Sequence, residues 1–156
     1  MSGWIPCSAF ETKREMLWLP RLVEKARQYR QSLDTGRDCM NSYLFGNNDV
    51  IDAEFLRFLR IDDRDVLALV RKHPSDDAVI EIIVARSELT PDQRSALSAR
   101  MRRKYFNFEL TEADEGRTSP GLRRSLIRFF YNRLMMPMLT MMYPRAERKR
   151  WVALPS

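Results

Sequence analysis

Glycine is scarce in this chain, and its scarcity argues against a class of folds. Only 5 of the 156 residues are glycine, whereas the many tight turns of an all-β sandwich use residues that tolerate a positive φ. Hydrophobic residues make up 44% of the chain and charged residues 31%, a balance that supports one packed core and argues against disorder. We therefore expect an all-α fold, a compact bundle of about five to seven short helices.

Cysteine and histidine are also few, which limits the chemistry of any site. Cys7 and Cys39 are far apart and form no Cys-x-x-Cys pattern, as is typical of free thiols in a reducing compartment. The one histidine, His73, precedes Pro74, where a loop or capping role is expected because no partner for general-base chemistry is evident. The methionines at 135–142 are interpreted as packing or interface residues rather than Cu(I) ligands. The sequence thus predicts no metal site and no cofactor, and it assigns no catalytic residue.

Long uncharged apolar runs are absent as well. After Trp4 and Ile5 the chain continues with Pro6 and Glu11, which leaves no apolar region of the kind that a secretory signal needs. A later apolar segment is interrupted by arginine and does not fit a membrane span. A cytoplasmic protein is therefore expected.

Charge is unevenly distributed along the chain. Residues 117–156 hold nine cations and one anion, a net charge of +8, whereas the preceding 116 residues hold 18 cations and 20 anions, a net charge of −2. The basic pI of about 9.7 therefore reflects one end of the chain and says nothing about ligands of the remainder. We divide the chain into a helical domain, 1–116, and a basic C-terminal helical extension, 117–156.

The extension carries an apolar segment at 120–143 whose partner is open. It could pack on the helical domain or on a second copy of the chain, lie on an anionic membrane surface, or leave the basic run 145–151 to bind nucleic acid. Packing is favoured and nucleic acid is least favoured, because a basic tail alone is weakly diagnostic. The predicted membrane or partner contacts are Arg124, Arg128, Phe129, Phe130, Arg133 and Trp151.

The clearest helix in the sequence is predicted from Pro20 to Leu33. Proline suits a first helical turn, and Gly36 is a natural stop. The apolar positions follow the i, i+3, i+4, i+7 spacing of one buried face: Leu19, Leu22, Val23, Ala26, Tyr29 and Leu33.

Further helices are predicted in close succession. Hydrophobic positions define helices at 51–59 and 66–70, the second behind Asp62 and Asp63 as caps. The β-branched run 79–84 suits either a helix or a buried strand, and its context favours helix. Thr90-Pro91-Asp92-Gln93 is a capping box that starts a helix ending near Lys104, with Ala96, Leu97 and Met101 inward. A polar linker is predicted at 109–118.

Charged residues on the first helix form the best candidate site. Arg21 and Lys25 share a face, Glu24 is expected to pair with Arg21, and a solvated helix face is one interpretation of this pattern. A second is an internal salt-bridge network with the following loop. A third is a pocket for a small anionic ligand, or an enzyme site for an anionic metabolite, in which arginine holds the anion and a carboxylate acts as acid or base. The candidate residues are Arg21, Lys25, Arg27, Tyr43, Asp49 and Asp52.

The same stretch resembles a known family. Leu19-Pro20-Arg21, then Glu24-Lys25-Ala26-Arg27, an aromatic turn ending in Ile51-Asp52, and the run from Phe55 to Asp62 resemble a bacterial family catalogued as domain of unknown function 5069. The family reads similarly to Leu-Pro-Arg-Met-(Ile/Leu)-Asp-Lys-Ala-Arg and later Phe-Leu-x-Phe-x-Gly-(Ile/Leu)-Asp. The resemblance covers roughly residues 15–105 and implies no assigned activity. This chain has Arg60 at the family's glycine, and Asp49-Val50-Ile51-Asp52 where many members have Cys-Pro-Leu-Asp.

Overall fold

The protein is built mainly from helices, as expected, with one short hairpin in addition. The computed structural model describes residues 4–41, 43–105 and 107–117, together with Leu126, Phe129 and Arg133. Predictions that concern the rest of 118–156, including the apolar helix and the methionines, lie outside the described residues. The elements in chain order are strands β1 (Thr12–Lys13) and β2 (Met16–Leu17), helix α1 (Leu19–Thr35), a 3-10 turn (Gly46–Asn48), and helices α2 (Val50–Leu59), α3 (Asp63–Lys72), α4 (Asp76–Ser87), α5 (Pro91–Lys104) and α6 (Asn107–Asp114).

Helix α1 is the central element, and the prediction for it is confirmed. It begins one residue before Pro20 and ends at Gly36, which has a left-handed φ of 65°. Helices α3 and α4 pack against it. Four of the six residues of its predicted apolar face, Leu19, Leu22, Val23 and Ala26, are at 0% exposure, and Tyr29 and Leu33 are half-buried.

The start of α1 is held by an unusual residue. Trp18 precedes the helix with a left-handed φ of 71°, a conformation that costs a bulky side chain about 1–2 kcal/mol. Such a conformation persists only where surrounding contacts over-determine it. Trp18 is 3% exposed, and its contacts are described with the site below.

Side-chain caps fix the starts of the following helices. Asp49 caps α2, and Asp62, Ser75 and Thr90 cap α3, α4 and α5, each by accepting a hydrogen bond from a backbone N–H of the first turn. The predicted capping box at Thr90 and Gln93 is present. Since an N-cap contributes about 1 kcal/mol, these local signals explain why the predicted helix starts were correct.

The ambiguous run 79–84 is helical. It lies inside α4, where Val79, Ile80 and Ile83 are buried at a spacing that suits one helix face. These side chains join the core beside Phe55 of α2 and Val66 of α3. The β-branched residues therefore serve core packing between helices and not a sheet.

Two local predictions were wrong, and one hairpin was not predicted. Residues 12–17 form an antiparallel hairpin, and its turn is made by Arg14 and Glu15 at φ 52° and 61° without the glycine or asparagine that usually signals such a turn. Ala96 is exposed on α5 and not inward. The predicted linker at 109–118 is instead occupied over its first half by α6, which packs through Phe108, 1% exposed.

Candidate functional site

The two cations at the head of α1 are buried. Arg21 and Lys25 each have 1% of their surface exposed, so the solvated-face interpretation is wrong for both. A buried charge is strongly destabilising unless it is paired and hydrogen-bonded. The partners of these two side chains therefore decide what the cluster can do.

Lys25 lies between two carboxylates of the loop and first turn of α2. Its Nζ is 2.7 Å from Oδ2 of Asp52 and donates to Oδ2 of Asp49 at 2.9 Å. Asp52 is fully buried and accepts two more hydrogen bonds, from Trp18 Nε1 at 2.7 Å and from the Gly46 backbone N–H at 3.0 Å. The ammonium also lies 5.2 Å from the Trp18 ring centroid, a cation–π contact. Lys25 thus joins α1 to the start of α2.

One lysine cannot fully neutralise two carboxylates, and this affects protonation. Burial raises the pKa of Asp52 to about 7, and the nearby Asp49 charge acts in the same direction, while Lys25 and the Trp18 hydrogen bond oppose it. A pKa above the ordinary value means that the folded state retains this proton to a higher pH than the unfolded chain does. Asp52 is therefore expected to titrate near neutrality.

We predict a pH-dependent difference between the wild type and Asp52→Asn. The stabilising contribution of Asp52 is fully present below its ordinary pKa of 3.8 and is lost as pH rises towards 7. Because asparagine does not titrate, the unfolding free energy of the wild type minus that of Asp52→Asn should fall between pH 4 and pH 7. Urea unfolding at several pH values measures this difference, and a difference that stays constant or rises would contradict the assignment.

Arg21 is paired with an acid far away in sequence. Its guanidinium makes a bidentate pair with Glu115, which follows α6, and also donates to the Cys7 carbonyl at 2.6 Å. The Tyr43 hydroxyl donates to Glu115 Oε1 at 2.8 Å, and burial together with this carboxylate raises the pKa of Tyr43. The guanidinium lies over the rings of Trp18 and Tyr43, 5.2 and 5.4 Å from their centroids. Arg21 therefore joins α1 to the segment after α6.

A second arginine, Arg117, binds the same carboxylate from the solvent side of the network. Arg117 donates to Glu115, to Glu112 at 3.4 Å and to the Pro6 carbonyl. Glu112 in turn accepts from the Ala9 backbone N–H at 2.6 Å. Arg117, which the sequence placed at the start of the extension, therefore contacts the helical body.

The structure brings five of the six predicted site residues together and places the sixth elsewhere. One network joins these five residues to Trp18, either directly or through a shared partner, and it matches the internal salt-bridge interpretation. The five residues are Arg21, Lys25, Tyr43, Asp49 and Asp52. Their role towards a ligand is not tested by these contacts and stays a prediction.

Arg27 and Glu24 lie outside this network. Arg27 pairs with Asp76 at 2.6 Å and donates to the Val70 and His73 carbonyls, so it ties α1 to the α3–α4 connection. The predicted pair between Glu24 and Arg21 is wrong, because Glu24 accepts from the Cys7 backbone N–H. His73 ends α3, in line with its expected capping role.

Sequence reasoning missed Trp18, Glu112 and Glu115 as members of the network. Glu115 lies 94 residues from Arg21 in sequence and inside the predicted linker. No spacing rule joins positions so far apart, and a carboxylate in a polar stretch has no local signal of burial.

A solvent-facing groove lies between α1 and α3. Its volume is about 470 Å³, within the range of small-molecule sites. One face of α3 supplies five of its residues at i, i+3, i+4, i+7 and i+8, and α1 supplies Arg30. The lining residues are Arg30, Arg64, Leu67, Ala68, Arg71 and Lys72.

The groove is strongly basic. Arg64, Arg71 and Lys72 are exposed, and within the described part of the chain none of them makes an ion pair. Arg30 is paired with Asp34, whose pKa is lowered first by the Arg30 hydrogen bond and also by the charge of Arg71. Four cations line the groove, with the carboxylates of Asp34 and Asp62 nearby, which contrasts with the net negative charge of residues 1–116. The sequence signal was available in the helical spacing of 64, 67, 68, 71 and 72, but the run 66–70 served only to predict a helix.

Two of the six predicted contact residues of the extension belong to the described residues, and four do not. Arg124, Arg128, Phe130 and Trp151 lie outside the described residues. Phe129 is 59% exposed and Arg133 is also exposed.

Among residues 4–41, 43–105 and 107–117, no group of three or more His, Cys, Asp or Glu side chains is arranged so as to hold a metal ion. In the same part of the chain, every helix is too short or too polar to cross a membrane. Comparisons with protein-family models, with curated proteins and with solved structures found no match for the chain.

Proposed function

We propose that this protein is a non-enzymatic binding module for an anionic ligand and that the groove between α1 and α3 is its binding site. The carrying observation is the set of exposed, unpaired cations on a concave surface. Clustered cations in a cleft raise the local concentration of anions, and an arginine can hold a phosphate or carboxylate bidentately. The anionic ligand expected from the sequence is thereby assigned to cations other than Arg21 and Lys25, which already bind buried carboxylates.

The proposal predicts that anions stabilise the wild type through the groove. At low ionic strength, phosphate or pyrophosphate should raise the melting temperature, because a ligand at about 100 times its Kd adds about 2.7 kcal/mol, which is several degrees for a domain of this size. The variants Arg64→Ala and Arg71→Ala should lose most of this shift. Both positions are exposed on α3, so neither change should unfold the protein.

A matched control separates the groove from general charge effects. Arg57 on α2 and Arg103 on α5 are exposed arginines that do not line the groove. Arg57→Ala and Arg103→Ala should respond to the anion as the wild type does. An equal response of all four variants, or the absence of any shift in the wild type, would overturn the proposal.

A second candidate is an enzyme that uses the Arg21, Lys25, Tyr43 and Asp52 cluster on a small anionic metabolite. The observation in its favour is the raised pKa of Asp52 beside a lysine, since perturbed carboxyl groups often mark functional sites. Against it stands the burial of Arg21, Lys25 and Asp52, which requires the network to open before a substrate enters. Turnover of an anionic substrate that survives Arg71→Ala and is abolished by Asp52→Asn would favour the enzyme.

Residues 120–143 keep their predicted role as a membrane-surface or homo-oligomer contact. Co-sedimentation with anionic liposomes by the full chain, lost in a chain ending at Thr118, supports membrane attachment. The shorter chain is cut after Arg117 because that arginine contacts Glu112 and Glu115 of the body.

We also propose that the chain is related to the family that it resembles. Arg60 occupies the family's glycine position and ends α2 with a left-handed φ of 53°, a conformation that glycine adopts at least cost. This agreement between a sequence departure and a backbone conformation supports the relationship. The buried Leu19, Arg21, Lys25 and Asp52 also coincide with residues that carry the resemblance.

A further inference from the structure

The cations of the α1–α3 groove are unevenly placed along it. Arg64 lies in the first turn of α3, whereas Arg71 and Lys72 are its last basic residues. An α-helix rises 1.5 Å per residue, so Arg64 and Arg71 are about 10 Å apart along the axis. Leu67 and Ala68 lie between them and form an apolar floor.

The Arg71 end carries the greater charge. Asp34 is hydrogen-bonded to Arg30 and is also within electrostatic reach of Arg71, which places Arg30 at the Arg71 end of the groove. That end therefore combines Arg30, Arg71 and Lys72 against the single carboxylate of Asp34. At the other end, Arg64 stands near the capping carboxylate of Asp62, whose pKa its charge helps to lower.

The two halves of the groove favour different parts of a ligand. The three cations that line one end suit a group with two negative charges, such as a phosphate monoester, because guanidinium and ammonium groups together can satisfy several of its oxygens. The exposed surface of Leu67 and Ala68 instead favours an apolar or aromatic body, whose burial adds affinity in proportion to area. The guanidinium of Arg64 can stack on the far edge of such a ring.

We infer that the groove takes a phosphate monoester of an apolar or aromatic body, with the phosphate at Arg30, Arg71 and Lys72 and the body across Leu67 and Ala68. This inference rests on the proposed function, since it names the class of anion that the groove binds. The same chemistry occurs in soluble aryl or nucleoside monophosphates and in the head group of phosphatidic acid.

The test compares inorganic phosphate, phenyl phosphate, 1-naphthyl phosphate and uncharged 1-naphthol by calorimetry on the full chain. Naphthyl phosphate should bind about tenfold more tightly than inorganic phosphate, the factor expected for roughly 60 Å² of buried apolar ring surface. Naphthol should not bind measurably. Phosphatidylcholine vesicles with and without phosphatidic acid, added as competitors, distinguish a lipid head group from a soluble ligand.

Single substitutions distinguish the contribution of the apolar floor to binding from that of the cations. Leu67→Gln keeps a good helix former at a half-buried position and should abolish the preference for naphthyl phosphate while leaving inorganic phosphate binding unchanged. Arg71→Ala should weaken both ligands, and Arg103→Ala should weaken neither. Ala68→Glu, at an exposed position, should weaken every anion and serves as a second test if Leu67→Gln unfolds.

The outcomes distinguish this inference from the proposed function. Equal binding of inorganic and naphthyl phosphate in the wild type would overturn the apolar-body inference and leave an anion site. Binding of naphthol as tightly as of naphthyl phosphate would overturn the phosphate assignment. Absence of binding by all the phosphates would overturn both.

Discussion

Replacement of Lys25 by alanine should destabilise the protein by about 3–5 kcal/mol, the usual cost of leaving a buried charge without its partner. The alanine removes a cation that contacts both Asp49 and Asp52. Asp52 is 0% exposed, so water cannot replace the ammonium. Urea unfolding followed by far-UV circular dichroism gives the unfolding free energy.

Two further variants identify the cause of that loss. Lys13→Ala removes an exposed lysine from its pair with Asp77, with side-chain exposures of 42% and 67%, and should change stability little. The double variant Lys25→Met/Asp52→Asn removes both of these charges and keeps an oxygen that accepts from the Trp18 indole N–H. It should recover part of the loss, because a buried ion pair often contributes little beyond a neutral pair of similar volume. A double variant less stable than Lys25→Ala would contradict this account.

Replacement of Arg21 by alanine should cost a similar 3–5 kcal/mol and should also loosen the segment after α6 from α1. Glu115 is 3% exposed at its side chain and is paired with Arg21 and Arg117. Loss of Arg21 leaves the Glu115 carboxylate with the Tyr43 hydroxyl and the more exposed Arg117 as its partners among the described residues. The Cys7 carbonyl loses its donor as well, so the N-terminal segment loses an anchor.

A double-mutant cycle with Glu115→Ala measures the coupling of this pair, since residues in direct contact lose less together than the sum of their separate losses. Hydrogen exchange should show reduced protection in α6 for Arg21→Ala but not for Lys25→Ala. The reason is that Arg21 contacts Glu115, whereas Lys25 contacts Asp49 and Asp52. Equal loss of protection in both variants would mean that the two cations act on the whole body.

The stability loss of Arg21→Ala also bears on function. If anions still raise the melting temperature of this variant as they do that of the wild type, the ligand does not bind at Arg21, as the groove proposal requires. A lost anion response in Arg21→Ala together with a normal one in Arg71→Ala would return the site to the buried network. The comparison requires a temperature at which both variants are folded.

Five of the six predicted site residues lie in one buried network, and their contacts match the salt-bridge interpretation, but Trp18, Glu112 and Glu115 were not predicted as members. The face shared by Arg21 and Lys25 follows from a helical repeat. Asp52 reaches Lys25 only after the long connection 36–49, whose path no spacing rule fixes. Whether such cations face solvent or the interior depends on what covers them. Glu115, which follows α6, covers Arg21, and Asp49 and Asp52 cover Lys25. The groove was missed for a related reason, since Leu67 fits a core position on α3 as well as a groove floor.

The sequence by itself determined where most helices begin and end. Caps such as Asp62 and Thr90 and the stop at Gly36 act within one turn of chain, and helical periodicity selects Leu19, Leu22, Val23 and Ala26 for burial. Only the tertiary structure decided that 12–17 form a hairpin, that 107–114 form a helix, and that Arg21 binds Glu115 across 94 residues. The physical reason is that a buried ion pair is selected by which surfaces exclude water together, and that is a property of the packed chain and not of any local run of residues.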